Sequence, residues 1–192
     1  MSLLDEIFYT ARTHRSWQDR PVDPELLKKI HDMAKLGPTS ANSCPLRVIY
    51  VRTPEAKERL KPTLDEGNIK KTMSAPLTAI FAADLEFYTH FSKLNPQNGQ
   101  RFQELYGNNP KLGEEAAHLN ATLQAAYAML AARACGLDCG PMSGFDAAKV
   151  ASAFFGDRPW RALFLCNLGY GVKEDAGERL PRFDFGEVTE IL

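Results

Sequence analysis

Five short stretches of this 192-residue chain combine residue types that can hold an anion or a flat, phosphorylated molecule. The first is Arg12-Thr13-His14-Arg15-Ser16-Trp17. Arginine presents a planar fork of donors suited to phosphate, and Thr, His and Ser beside it add hydrogen bonds. The second, from Gly37 to Pro45, is a polar turn carrying Thr39, Ser40, Asn42 and Ser43. In the third, Asn68 and Lys71 are spaced to share one face of a helix. The fourth sets Arg179 and Arg182 on either side of Leu180-Pro181. The fifth, residues 136–146, holds three glycines and Pro141. That composition argues against regular structure and lets the backbone come very close to a ligand.

Each pattern alone has a plainer reading. Arg12 and Arg15, or Lys70 and Lys71, are ordinary solvated faces; the turn at 38–45 ends a helix; Arg179 and Arg182 are a charged tail. Thiol chemistry is disfavoured. Of the four cysteines (Cys44, Cys135, Cys139, Cys166), none form a CxxC pair, and no histidine stands near Cys135 and Cys139 to complete a metal site. They read as buried free thiols in a reducing compartment.

The elements that must position these stretches follow from apolar spacing and caps. A short helix spans residues 3–12, with Asp5 and Glu6 in its first turn. Asp23-Pro24-Glu25 starts a helix that Gly37-Pro38 stops, and Thr53-Pro54-Glu55 starts another. Strands are predicted over 47–52, 77–83 and 163–168. Residues 120–135 carry Arg133 as their one charge and are rich in Ala and Leu. A helix with so little polar surface belongs in a core or across a subunit interface. Asp146 caps a helix closed by Gly156. Residues 84–113 are rich in Asn, Pro and Gly, yet carry Phe87, Tyr88, Phe91, Phe102 and Tyr106. That mixture suits a partly ordered lid or a dimer-contact excursion from the core sheet. Helices between few strands indicate an α+β fold with one sheet.

Composition narrows the function. Lys+Arg of 23 against Asp+Glu of 24 leaves no broad attraction to nucleic acid or anionic membrane, so an anion site must be local. At 192 residues the chain suits one domain, 1–192. The N-terminus lacks a basic, apolar leader and no apolar run approaches a membrane span, so a cytoplasmic protein is expected.

In order along the chain, ARTHRSW, LGPTSANSCPLRVIYV, GNIKKTMSAPLTAI, GLDCGPMSGFDAAKV, NLGYG and RLPR resemble the flavin-dependent nitroreductase family over essentially its whole length. Within it, the chain is similar to the branch of malonic semialdehyde reductases of pyrimidine catabolism. The resemblance implies an α+β fold with one central, mostly antiparallel sheet flanked by helices. It implies an intertwined homodimer with FMN at the subunit interface. By position, Arg12, Thr13, His14 and Ser16 match the family's early phosphate- and ribityl-binding motif; His14 stands where Ser is usual. Thr39, Ser40 and Asn42 match a turn placed against FMN, often from the second subunit. Asn68 and Lys71 match the pair at the pyrimidine edge of the ring, where a lysine suits the negative charge gathered on reduction. Pro141, Met142, Ser143 and Gly144 match the loop beside the ring; Ser143 stands where many relatives have Glu. Arg182 matches the C-terminal phosphate-binding arginine, with Arg179 as its companion.

The activity implied is ping-pong hydride transfer from NADPH or NADH through flavin N5 to a small acceptor. The preferred acceptor is 3-oxopropanoate (malonic semialdehyde), giving 3-hydroxypropanoate. A broad quinone or nitroaromatic reductase is the alternative, and a non-catalytic flavin-binding protein a rival from another class. No catalytic side chain and no metal ligand is assigned. His14 is the tempting acid/base candidate, though a hydrogen bond suits it better.

Overall fold

The central strand β2 (Leu77–Asp84) reads LTAIFAAD, and all eight of its residues are buried. An unbroken apolar run of this length, covered on both faces, is what the middle of a helix-flanked sheet requires. β1 (Leu46–Val51), β3 (Asp138–Met142) and β4 (Trp160–Gly169) complete a four-stranded sheet in the order β1-β2-β4-β3. Every neighbouring pair is antiparallel: Leu46 faces Ala83, Leu77 faces Leu168, and Asp138 faces Gly169. The computed structural model describes residues 2–192.

Side chains alternate across β2 and divide the core into two layers. Ala79 and Phe81 pack with Cys166 and Leu168 under α1 (Pro24–Ala34) and α6 (Pro110–Ala134). Ile80 and Ala82 pack with Leu165 and Val51 under α2 (Pro54–Leu60) and α7 (Ala147–Phe154). The expected caps are in place. Asp23, Thr53 and Asp146 accept hydrogen bonds from the amides of Glu25, Ala56 and Lys149. α3 (Glu66–Met73) joins the second layer to β2. This is the α+β, antiparallel architecture expected.

Four expectations are corrected. Residues 136–146 are not irregular throughout: Asp138–Met142 forms β3, paired with β4. Pro141 is tolerated because β3 is an edge strand, where a missing amide donor leaves no ladder partner on the open side. The helix expected at 120–135 begins ten residues earlier, at Pro110, and extends over 25 residues. Residues 84–113 are accordingly no partly ordered lid. They form a 3₁₀ turn (Phe87–His90), α4 (Phe91–Leu94), α5 (Gly99–Gly107) and the start of α6. Phe87, Phe91 and Tyr106 are buried there, with ring centroids 5.1–6.0 Å apart. The N-terminal helix is shorter than expected, its regular π-helical part being Asp5–Tyr9.

Candidate functional site

The Arg12–Trp17 segment is stitched to the sheet as an extended stretch. Thr13 bridges Cys139 of β3 in parallel, the His14 amide donates to the Cys139 carbonyl (3.0 Å), and Trp17 bridges Gly171 beyond β4. His14 is 4% exposed, with Nε2 lying 3.3 Å from Asp138 Oδ1. Asp138 also accepts from the Gly171 amide (2.8 Å). A Cβ on Gly171 would overlap the His14 ring, so glycine is required for this approach. The imidazole packs inward, and among the described residues its buried Nδ1 has no hydrogen-bond partner.

The remaining basic residues converge at the end of α6. Arg12, Arg15, Arg133, Arg179 and Arg182 line one cleft of about 640 Å³. Arg179 Nη2 donates to the carbonyls of Phe8 (2.7 Å), Tyr9 (3.2 Å) and Ala11 (2.9 Å), which ties the C-terminal arm to the N-terminal helical turn. Arg12 Nη1 donates to the carbonyls of Tyr9 (3.1 Å) and Ala11 (2.9 Å), and Arg133 Nη1 to that of Ile7 (3.3 Å). Arg182 Nη1 takes the Leu180 and Pro181 carbonyls. Arg12, Arg133, Arg179 and Arg182 are each anchored to backbone carbonyls through one terminal nitrogen. Among the described residues none of the five is ion-paired to a carboxylate, although Asp175 and Glu178 also line the cleft. Uncommitted guanidinium donors around a concave wall suit a phosphate dianion.

Asn68 and Lys71 lie on α3. Asn68 Nδ2 donates to the Gly144 carbonyl (2.6 Å), and the Asp65 amide does the same (3.2 Å), so the chain after β3 is pinned to α3. A Cβ on Gly144 would stand 2.5 Å from Asn68 Nδ2. Met142 Sδ accepts from Thr72 Oγ1 (3.4 Å). Lys71 is partly buried; burial first, and then the Arg15 charge, lower its pKa. Arg15 therefore links the arginine cleft to the Lys71 rim. Pro141, Met142, Ser143 and Gly144 run along β3 and the turn that follows, beside α3.

Thr39, Ser40 and Asn42 lie elsewhere. The Ser40 amide donates to Asn120 Oδ1 (2.7 Å), Asn42 Nδ2 to the Leu94 carbonyl (2.7 Å), and Thr39 Oγ1 accepts from the Cys44 amide (3.2 Å). Those bonds hold Ala41, Asn42 and Cys44 at φ of 54°, 59° and 42°, left-handed values that non-glycine residues rarely adopt. Asn120 and Arg133 are separated along α6 by about 20 Å at 1.5 Å per residue. One chain thus gathers the N-terminal, Asn68–Lys71, β3 and C-terminal groups at one end, and leaves the 39–42 turn at the other.

One residue of the cleft, Arg133, was not among the sequence candidates, and Arg15 was named only as part of the first polar stretch. The signal available for Arg133 was its being the lone charge in an apolar helix. The donor set fits FMN: the arginines are chemically matched to its phosphate, and Lys71 and Arg15 to the electron-rich edge of the ring. Among the described residues, no group of histidine, cysteine, aspartate and glutamate side chains forms a metal site. Among the described residues, no helix is long and apolar enough to cross a membrane.

Residues 9–170 match the model of the nitroreductase family. A Burkholderia lata protein with the provisional name NADH dehydrogenase/NAD(P)H nitroreductase is 51% identical over 190 residues, covering 99% of this chain and 96% of that one. A Ralstonia nicotianae protein with the same provisional name is 46% identical over 191 residues, covering 100% and 97%. Among solved structures, a provisionally named nitroreductase from Exiguobacterium sibiricum in complex with FMN superposes with a TM-score of 0.88, at 22% identity over 100% of this chain and 98% of that one. The Streptococcus pneumoniae nitroreductase family protein gives 0.82 at 23% identity, covering 97% and 98%. These two establish the shared fold, and the family match and close relatives establish more: the chain belongs to the nitroreductase family.

Proposed function

We propose that this protein is an FMN-dependent NAD(P)H oxidoreductase that reduces nitro compounds and quinones. The observation that carries the reading is the cleft of five arginines at the end of α6, none of them ion-paired to a carboxylate among the described residues. The names of the close relatives and the FMN complex of the Exiguobacterium protein support it. When bound, FMN supplies the hydride chemistry. The chain binds and orients. Arg12, Arg133, Arg179 and Arg182 would take the phosphate, with Thr13 and Ser16 beside them and Arg15 toward Lys71. Asn68 and Lys71 hold the pyrimidine edge, Lys71 providing a cation where charge develops. The segment Pro141-Met142-Ser143-Gly144 would lie along the ring, held to α3 through Gly144 and Asn68.

A second copy of the chain completes the site. Leu112, Leu119, Leu123 and Tyr127 form an apolar stripe on one face of α6, 41–59% exposed, a surface that calls for a partner. Tyr127 packs on Gly37 and Asn120 holds Ser40, so the 39–42 turn borders this stripe. An isologous contact across α6 brings Thr39, Ser40 and Asn42 of one copy toward the cleft of the other.

A small carbonyl acid, 3-oxopropanoate, is the second acceptor considered, favoured by the exposed Arg15 guanidinium near Lys71 as a carboxylate partner. The test is anaerobic titration of the FMN-loaded protein with NADPH and NADH, followed by a nitroaromatic, a quinone or 3-oxopropanoate. Bleaching of the flavin band and its return with a nitroaromatic or quinone is expected. Return with 3-oxopropanoate alone would transfer the assignment to the aldehyde. A flavin that never bleaches would leave a binding protein without turnover.

A further inference from the structure

Lys57 belongs to none of the polar clusters, yet it is 5% exposed. Its Nζ donates to the Thr72 carbonyl (2.8 Å) and to Thr78 Oγ1 (2.7 Å). Burial pushes its pKa down to about 8, with no neighbouring charge contributing. An ammonium without a counter-ion is costly to bury, so the contacts it secures matter.

Those contacts lead to the candidate site. Thr78 Oγ1 donates to Asn167 Oδ1 (2.7 Å). Asn167 Nδ2 donates to the Lys71 carbonyl (3.2 Å) and toward Thr72 Oγ1 (3.4 Å). Thr72 Oγ1 donates to Met142 Sδ, and Trp17 Nε1 donates to the Lys71 carbonyl (3.1 Å). Lys71 and Thr72 are in the last turn of α3, where carbonyls lack partners within the helix and a cation is favoured by the helix dipole. The bonds from Trp17, Asn167 and Lys57 therefore fasten that turn to the N-terminal segment, β4 and α2, with Lys57 also bonded to Thr78 of β2.

We propose that Lys57 is a positioning residue for the site: its buried ammonium clamps the last turn of α3 and so holds Lys71 at the flavin rim. The inference rests on the FMN reading above. Lys71 gains most when negative charge gathers on the ring, so a displaced Lys71 weakens the binding of reduced FMN more than that of oxidised FMN. Lys57 acts through Lys71, and the two effects overlap.

The experiment measures anaerobic dissociation constants of the protein for oxidised and for dithionite-reduced FMN. Wild type is compared with Lys57→Met, Lys71→Met and the double variant, each checked by circular dichroism and melting. Lys57→Met is expected to lower the preference for reduced FMN about tenfold, equivalent to about 30 mV in a two-electron potential. The double variant should lose no more than Lys71→Met alone. Lys57→Gln, which keeps a donor toward the Thr72 carbonyl, should fall between wild type and Lys57→Met; if Lys57→Met does not fold, Lys57→Gln and its double variant with Lys71→Met carry the test. An unchanged preference in a folded Lys57 variant, or fully additive losses in the double, overturns the positioning role while leaving the FMN reading intact. Wild-type protein that takes up no FMN in either state overturns both.

Discussion

Alkaline pH should stabilise this protein relative to its Lys57→Met variant, and the size of the effect follows from one buried group. Lys57 titrates at about 8 in the fold against 10.5 for an exposed lysine. Between those values the unfolded chain binds more protons than the native one, so unfolding free energy rises with pH across that window. Below about pH 8 both states are charged and the full cost is present, about 3 kcal/mol at 1.36 kcal/mol per pKa unit. Above 10.5 both are neutral and the cost is gone. Between pH 7 and 9.5, integration gives wild type a gain of about 2 kcal/mol over a variant that cannot titrate there. Methionine is close to lysine in length and carries no charge. The hydrogen bonds it forfeits to the Thr72 carbonyl and Thr78 shift the whole curve without giving it a slope. Tyr50, whose pKa burial raises above 10, loses stability for the fold only at still higher pH, and does so equally in both proteins. Urea unfolding of the two at matched concentrations reads the difference directly. Parallel stability–pH curves would refute the claim that Lys57 is a desolvated cation.

Other perturbations bear on the site and its frame. Arg133→Met removes a charge-assisted contact worth about 1.5–3 kcal/mol, so FMN affinity measured by fluorescence quenching should fall roughly tenfold or more while the melting temperature changes little. Gly171→Ala forces a methyl into the His14 ring; a loss of about 1–3 kcal/mol is expected in denaturant unfolding, and an unchanged midpoint would mean the ring can move aside. Leu119→Arg places a charge in the exposed stripe of α6. It should give a monomer by light scattering that retains FMN poorly, whereas a dimer with full flavin content would displace the proposed interface.

What could be read from the sequence was local. Asp23-Pro24, Thr53-Pro54 and Asp146 announce helix starts because a cap and its target amide lie within three residues. The apolar run of β2 announces a buried strand for the same reason. β3 escaped notice because Gly140 and Pro141 interrupt it, and its strand character comes from pairing with β4, more than twenty residues away. The start of α6 was hidden by Asn108-Asn109, although Pro110 at the first helical position is itself a start signal. The arginines of Arg12 and Arg182 could be matched by motif, but Arg133 faces the cleft only because of how α6 is rotated. Lys57 sits in PEAKERL, which reads as an ordinary solvated helix. Its burial is set by α3 and β2 closing over it, and nothing adjacent in the chain records that.

The geometry of α6 connects two properties that look separate. Its interior face is built from Ala117, Ala121, Ala125, Ala128 and Ala132, small residues that bring the helix close to the sheet. Its outer face keeps Leu119, Leu123 and Tyr127 in solvent. Asn120 and Gln124 lie buried between these faces, and they bind the Ser40 amide (2.7 Å) and the Leu46 amide (3.0 Å). The polar side chains of the helix thus fix the 39–42 turn and the start of β1, while Arg133 in its last turn enters the cleft. A displacement of α6 would shift both ends together. In the proposed dimer, covering its apolar face with a second copy therefore does more than remove hydrophobic surface from water: it sets the distance between the turn of one chain and the arginines of the other. On that argument flavin retention and dimerisation are a single property of this helix, and substitutions on its outer face should alter them in parallel.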